Sequence, residues 1–339
     1  MKKSSTDFSR YISSFLTEFL PHHRNYSKNT ILSYKDTLKL FVRFLINERK
    51  ININQFTMKD FTKELIIDFL EYLRIIGCSS STANQRLAVL KSFANYCQID
   101  SIENMFSLQE VMHIKSKKTG TKEIGYLDEN QMRTLINEPD INRLNGLKHK
   151  TLLCLLYDTG ARVQEICDLK VKDIFIGNHP TVKLNGKGNK TRIVPISNAM
   201  KVLLNQYIKT FQIDIRKNDR YLFLNKDNGQ LSRDGIKYII DKYTSSILRR
   251  DPSFPKKVTP HMFRHSKSMH MVAAEIPIIY IRDFLGHENI STTMIYAKAD
   301  TRLKEKAINK LAPKIIEDEE VKPDWTKDQD LLDFLNKFK

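Results

Sequence analysis

The chain is short of acid. Its 339 residues carry 39 Asp and Glu against 56 Lys and Arg, a formal net charge of +17. A surplus of that size favours a polyanionic partner: DNA, RNA or an anionic membrane surface. Long apolar runs are missing too. No stretch approaches the ~18 residues that a membrane-crossing helix needs. Met1-Lys2-Lys3-Ser4-Ser5 is basic, but no apolar signal core follows it. The membrane reading falls, and a cytosolic protein is expected. Cysteine is scarce: Cys78, Cys97, Cys154 and Cys167, none in C-x-x-C spacing. That argues against a disulfide framework or a zinc site and for reduced, mostly buried thiols. No internal repeat is apparent.

What is present is enough for two domains and a tail. Hydrophobic residues make up 41% of the chain, so sizeable cores can form. The charge is uneven: +4 over 1–114, a further +4 over 115–122, +12 over 123–312 and −3 over 313–339. Residues 115–126 hold four lysines, Gly120, Gly125 and little apolar content, which reads as an exposed basic linker. It separates an N-terminal domain, 1–114, from a second domain, 127–312, with a tail over 313–339.

The first domain reads as a bundle of four or five short helices. Phe8, Tyr11, Ile12, Phe15, Leu16 and Phe19 recur at helical spacing, and Pro21 is expected to end that segment. Ser27 precedes a second amphipathic run from Ile31 to Leu45. A third helix is expected over 62–76, up to Gly77. A fourth begins at Ser81 as N-cap, buries Leu87, Leu90, Phe93 and Ala94, and shows Arg86 and Lys91 on its other side.

In the second domain, helical patterns at 128–137 and 147–158 lead to Arg162. The period then changes. Thr181–Leu184 and Arg192–Ile196 alternate around a Gly/Asn/Lys turn, a β-hairpin with Lys187 at its tip. Helices return at about 197–211, 232–249, 260–274, 277–285 and 290–296. In the tail, Leu331, Phe334, Leu335 and Phe338 form an i, i+3, i+4, i+7 stripe after the acidic run Glu317–Glu320, with Thr326 as cap and Asp328 in the first turn. That face needs a partner, either its own domain or a neighbouring subunit. The whole is mainly α with a small antiparallel β-sheet, an α+β class.

The chemistry-bearing residues come in a fixed order: Arg162, Lys187, His261, Arg264, His287, Tyr296. Two arginines can clamp a phosphate with planar forks of donors. A phenol oxygen can attack phosphorus and become covalently attached. Each residue also has a plainer reading. Arg162 could simply pair with Glu165 three residues on. Lys187 between two glycines could be a turn lysine, His261 a helix-capping residue and His287 a loop residue. His261 and His287 lack a third ligand at metal spacing, and His265 and His270 are assigned to packing or solvent. Tyr157, Tyr243 and Tyr280 compete with Tyr296 as the nucleophile. The combination is more telling than any member.

That combination resembles the tyrosine recombinase, or phage integrase, family. Its first box is matched by Thr159-Gly160-Ala161-Arg162-Val163-Gln164-Glu165-Ile166 and its hairpin by 186–195. Its H-x-x-R-H box is matched by His261, Arg264 and His265, and its end by Leu285-Gly286-His287 and Tyr296 nine residues on. Met262-Phe263 stands where the family often has a Leu next to the arginine. The likeness covers the N-terminal bundle, the linker and nearly all of 123–300, and it is nearer the compact Xer-like and transposon-type members, with no extra arm-binding domain expected.

The resemblance implies a SAM-like core-binding bundle and a catalytic domain that clamp double-stranded DNA. It implies that Arg162 and Arg264 bind the scissile phosphate and that His287 adds a hydrogen bond. His261 would assist proton removal from Tyr296, Lys187 would protonate the leaving 5′ oxygen, and Tyr296 would end as a 3′-phosphotyrosyl link, with no ATP, cofactor or metal. Side chains expected at the DNA are Arg86, Lys91, Lys115, Lys117, Lys118, Lys190 and Arg192. It further implies a tetramer on DNA, an accessory DNA-bending or directionality protein in some systems, and a place at a prokaryotic nucleoid. A type IB topoisomerase shares the chemistry, but the amphipathic tail argues against a monomer. A catalytically silent DNA-binding regulator is disfavoured by the intact set.

Overall fold

The computed structural model describes residues 6–24, 26–98, 102–119, 125–186, 190–214, 219–299, 333 and 335–337. It divides into two compact units, Met1–Lys122 and Glu123–Lys339. Among the described residues, no helix is long and apolar enough to cross a membrane.

In the first unit, α1 (Asp7–Ser14) begins at Thr6, whose hydroxyl accepts from the Ser9 amide. The helical path does not stop before Pro21, as expected, but widens into a π-helix over Phe15–His23. The i→i+5 pattern, seen as Arg24 N donating to Phe19 O, moves the carbonyl that a proline ring would strike in an α-turn. Then follow α2 (Lys28–Asn47), α3 (Lys63–Ile75), α4 (Ser80–Gln98) and α5 (Met105–His113). The cap of α4 is Ser79 rather than Ser81: its hydroxyl accepts from the Thr82 amide at 3.2 Å. The apolar stripes converge on an aromatic core. Phe41 meets Phe69 and Phe61 edge-on, and Phe93 meets Phe8 and Phe61 edge-on. Truncating one such phenylalanine to alanine costs roughly 3–5 kcal/mol.

The second unit opens with α6 (Glu129–Asn137) and α7 (Leu144–Thr159), followed by the short α8 (Val163–Cys167). A three-stranded antiparallel sheet then forms from β1 (Ile174–Phe175), β2 (Thr181–Asn185) and β3 (Thr191–Pro195), in that order. The hairpin register pairs Thr181 with Pro195 and Asn185 with Thr191. β1 escaped the sequence reading because two residues carry no period. After the sheet come α9 (Asn198–Thr210), α10 (Arg233–Leu248), α11 (Pro260–Ala273), α12 (Ile278–Leu285) and α13 (Ser291–Ala299). Helix α11 packs against α6, α7, α10, α12 and α13, so it runs through the middle of the unit. Leu331, Phe334 and Phe338 of the tail stripe lie outside the described residues. Asp333 and Leu335–Lys337 are helical, and Leu335 is 58% exposed.

The cysteines lie toward the interior: Cys97 and Cys167 are buried, Cys78 and Cys154 partly so. Burial pushes Cys154 up to about 12 and Cys167 up to about 11, which leaves both protonated and unreactive at neutral pH.

Candidate active site

Two left-handed glycines build the site. Helix α7 ends at Gly160 (φ 55°) and α12 ends at Gly286 (φ 65°). A Cβ on Gly160 would come within 3.0 Å of Leu285, and one on Gly286 within 3.0 Å of Arg192 Cδ. Only glycine fits both the backbone angle and the space. The two turns face each other across Arg264 of α11. Its Nη1 donates to Gly160 O and its Nη2 to Leu285 O, each at 2.7 Å. A guanidinium thus binds carbonyls at the C-terminal ends of two helices, where the helix dipoles favour a cation. Arg264 is only 4% exposed.

Directly after the Gly160 turn, Arg162 caps α8. Its amide donates to Glu165 Oε2 at 2.8 Å, its Nη1 to Glu165 Oε1 at 3.1 Å, and its Nη2 to Gly286 O at 3.3 Å. Glu165 is buried and also receives Arg192 from β3, Nη1 on Oε1 and Nη2 on Oε2, both at 2.8 Å. Arg192 Nε donates to Phe284 O. Burial works against the Glu165 charge, but the hydrogen bond and charge of Arg192, then those of Arg162, hold its carboxyl below the usual range. The expectation that Arg192 contacts DNA does not fit this placement. Its side chain is 13% exposed, and its nitrogens are directed at Glu165 and Phe284.

Three guanidiniums surround one carboxylate. Burial, then the Arg162 and Arg192 charges, lower the Arg264 pKa, with Glu165 acting the other way. Such a cluster carries three positive charges against one negative, and a bound phosphate would offset part of the excess.

His287 follows Gly286, its Nδ1 2.9 Å from the Thr293 hydroxyl. Burial first, then Arg264, Arg162 and Arg192, push it down to about 4, so it is neutral at pH 7. Tyr296 of α13 is 1% exposed and packs with Met269, Val272, Ile281 and Leu285. Its ring lies 6.4 Å from that of His287 at 17°. Its hydroxyl lies 2.8 Å from His265 Nδ1. Burial raises the Tyr296 pKa, with a Ser268 hydrogen bond and the Arg264 and Arg162 charges opposing. The other tyrosines stand elsewhere. Tyr157 is hydrogen-bonded to His270 and Tyr243 to His149, while Tyr280 is 64% exposed.

The fold therefore gathers Arg162, Arg264, His287 and Tyr296 around one point. It treats His261 and His265 of α11 differently from the sequence pattern. His261 is exposed in the first turn, and its ring is 6.3 Å from that of His265. The phenol meets His265, which the sequence pattern alone leaves to packing or solvent. The i, i+4 spacing of His261 and His265 puts both on one helical face and was the available signal. Lys187 lies outside the described residues. The root of its hairpin does reach the site, since a Cβ on Gly186 would come 3.3 Å from Glu165 Oε1. Lys190 makes an exposed ion pair of 2.6 Å with Glu288.

In the first unit, Lys115, Lys117 and Lys118 are exposed. The backbone of Lys117 is held by Asn84, whose amide group both donates to its carbonyl at 2.8 Å and accepts from its N–H at 3.0 Å. Lys91 and Arg86 are half-buried, and Arg86 Nε is enclosed without a partner. Among the described residues, no three His, Cys, Asp or Glu side chains are grouped as metal ligands.

Residues 125–302 match the phage integrase family, and residues 12–98 match the phage integrase N-terminal SAM-like domain. The tyrosine recombinase XerD of Staphylococcus epidermidis is 31% identical over 82% of this chain and 90% of its own. The tyrosine recombinase XerC of Bacillus subtilis is 30% identical over 82% of this chain and 88% of its own. The fold is also that of the Tn1549 transposon integrase in complex with transposon right end DNA: TM-score 0.67, 17% identity, 89% of this chain and 99% of that one.

Proposed function

The chain belongs to the phage integrase family of tyrosine recombinases, and from that premise we propose how its residues cleave and rejoin DNA at a specific site. Arg162 and Arg264 hold the non-bridging oxygens of the scissile phosphate. The observation that carries this reading is the guanidinium cluster, Arg264 buried and Arg162 38% exposed, with more positive charge than Glu165 balances. Negative charge grows on those oxygens in the transition state, where fixed donors act most strongly. His287, neutral and braced by Thr293, adds a further hydrogen bond. Tyr296 Oη attacks phosphorus, the 5′ oxygen departs with a proton from Lys187, and a 3′-phosphotyrosyl link remains. The link retains the energy of the broken bond, so a 5′ hydroxyl from a second duplex can reverse the step.

The two units, Met1–Lys122 and Glu123–Lys339, bind double-stranded DNA. Arg86, Lys91, Lys115, Lys117, Lys118 and Lys190 provide phosphate contacts that set position, and a smaller number of base contacts choose the site. Recombination requires four active sites, hence a tetramer on DNA at the nucleoid. In some settings an accessory DNA-bending or directionality protein would act with it.

The test is to incubate the full chain with a genomic library of nicked duplexes and recover protein-linked ends. The reading expects protein on 3′ ends, free 5′ hydroxyls, and a recurring sequence at the break. Protein on 5′ ends would overturn it.

A further inference from the structure

We propose that Asn84 is a positioning residue for DNA binding: it clamps the backbone of Lys117 and so holds the cations of 115–118 in place before the duplex arrives. The inference rests on the reading that Lys115, Lys117 and Lys118 contact phosphates.

The sequence marks 115–126 as an exposed linker with nothing to fix it, but its first part is anchored twice. Ile114 packs into the core of the first unit. Three residues on, Lys117 is taken at both backbone groups by Asn84 of α4, 33 positions away. Asn84 Nδ2 donates to the Lys117 carbonyl at 2.8 Å, and Oδ1 accepts from the Lys117 N–H at 3.0 Å. A side-chain amide has one donor end and one acceptor end, so it can stand in for a neighbouring strand at one residue. Turning the amide over would set donor against donor and acceptor against acceptor, so the two bonds together fix its orientation. Aspartate has the same shape but no donor, and serine cannot span both groups.

The clamp also arranges charge. Asn84 and Lys91 are seven residues apart and share a face of α4, so the linker backbone is brought to the face that carries Lys91. The Glu71 carboxyl of α3, lowered first by its hydrogen bond from Arg74, feels the Lys117 charge as well. Arg74 already holds that carboxylate through Nε and Nη2. Lys115, Lys117 and Lys118 stay exposed. A free segment has to be ordered when it lies along phosphates, and fixing one residue's backbone weakens binding by about 5–30-fold. A segment already fixed at Lys117 is spared that factor.

The experiment is a double-mutant cycle on the full chain. Asn84→Ala is made in the wild-type chain and in one with Lys115, Lys117 and Lys118 all changed to alanine. Binding to a fluorescent mixed-sequence duplex is followed by anisotropy over a salt series. Trypsin cleavage after Lys117 in the free protein, read by mass spectrometry, reports the clamp itself. Asn84→Ala should weaken binding by about 5–30-fold where the lysines are present and change nothing where they are absent. Cleavage after Lys117 should speed up at an unchanged melting temperature. A merely structural asparagine would weaken both backgrounds alike, and that result would overturn the proposal. Full affinity in Asn84→Ala with the lysines present would overturn it too. Should Asn84→Ala melt early, Asn84→Ser decides by the same cycle. Failure of the underlying reading looks different. Each lysine lost from a phosphate lowers the salt slope by about 0.9. A lysine-free chain that binds as tightly as the wild type, with the same slope, would remove the linker from the DNA-contacting set, and the proposal would fall with it.

Discussion

Arg192 and Glu165 form a two-pronged ion pair, Nη1 on Oε1 and Nη2 on Oε2, each at 2.8 Å. The same carboxylate orients Arg162. The pair therefore ties β3 to Arg162 and, through Phe284 O, to the turn before His287. Removing one partner of a buried pair leaves an uncompensated charge and costs roughly 3–5 kcal/mol. Glu165→Ala should lower stability by that order in urea unfolding and abolish cleavage.

Arg192→Ala should lower stability and cleavage but leave the salt dependence of DNA binding unchanged, because Arg192 is directed at Glu165 and Phe284. A lysine on a phosphate behaves otherwise: its loss reduces the slope of log K against log salt by about 0.9. Binding isotherms at several salt concentrations separate the two. A slope reduced by about 1 in Arg192→Ala would return it to the DNA-contacting set.

Acid should loosen the second unit before its carboxylates titrate. Burial, then Lys148 and Lys242, push His149 down to about 4, and His287 is held at about 4 as well. An unfolded histidine titrates near ~6.5. Between those values the unfolded chain binds more protons than the folded one. Stability is therefore fully present above about pH 6.5 and falls as pH drops toward 4. One such histidine contributes a slope of up to about 1.4 kcal/mol per pH unit. Urea unfolding from pH 7.5 to 5 should show the decline, and His149→Gln should flatten it. An equal slope in that variant would contradict the assignment.

Lys187→Ala should slow cleavage through the leaving group. A lysine donating to the 5′ oxygen matters only while that oxygen needs a proton. A 5′-bridging phosphorothiolate leaves without one, so it should restore the variant's rate. Equal defects on both substrates would make Lys187 a binding residue.

Deleting residues 323–339 should spare binding to a single site and weaken synapsis. Leu331, Phe334, Leu335 and Phe338 share one apolar face in sequence, and each large apolar side chain contributes ~1.5–3 kcal/mol when buried. Sedimentation of protein–DNA complexes reads the outcome. An unchanged yield of tetramer would mean that the tail packs on its own domain.

Much of this was legible in the chain itself. The helical stripes of 28–47 and 233–248 and the alternation in 181–185 and 191–195 depend on local period, and the structure follows them within a residue or two. Pro21 misled because a π-helix accommodates a ring that an α-turn cannot. β1 was too short to show a period. In the site, the order of the six chemical residues was readable, but their partners were not. Arg192 reads as an exposed strand cation until Glu165, 27 positions away, is brought against it. His261 and His265 share a helical face, and which of them meets the phenol depends on how α13 packs on α11. Pairings over such sequence distances carry no local signal.

The central claim is that Tyr296 is the nucleophile. It is tested most directly by Tyr296→Phe on a nicked substrate that traps the covalent product. Removing one oxygen deletes the attacking atom and leaves Arg162, Arg264 and His287 to hold the phosphate. The account predicts no protein–DNA adduct and nearly unchanged binding. A covalent adduct formed by the Phe variant would contradict it and move the reaction to another tyrosine.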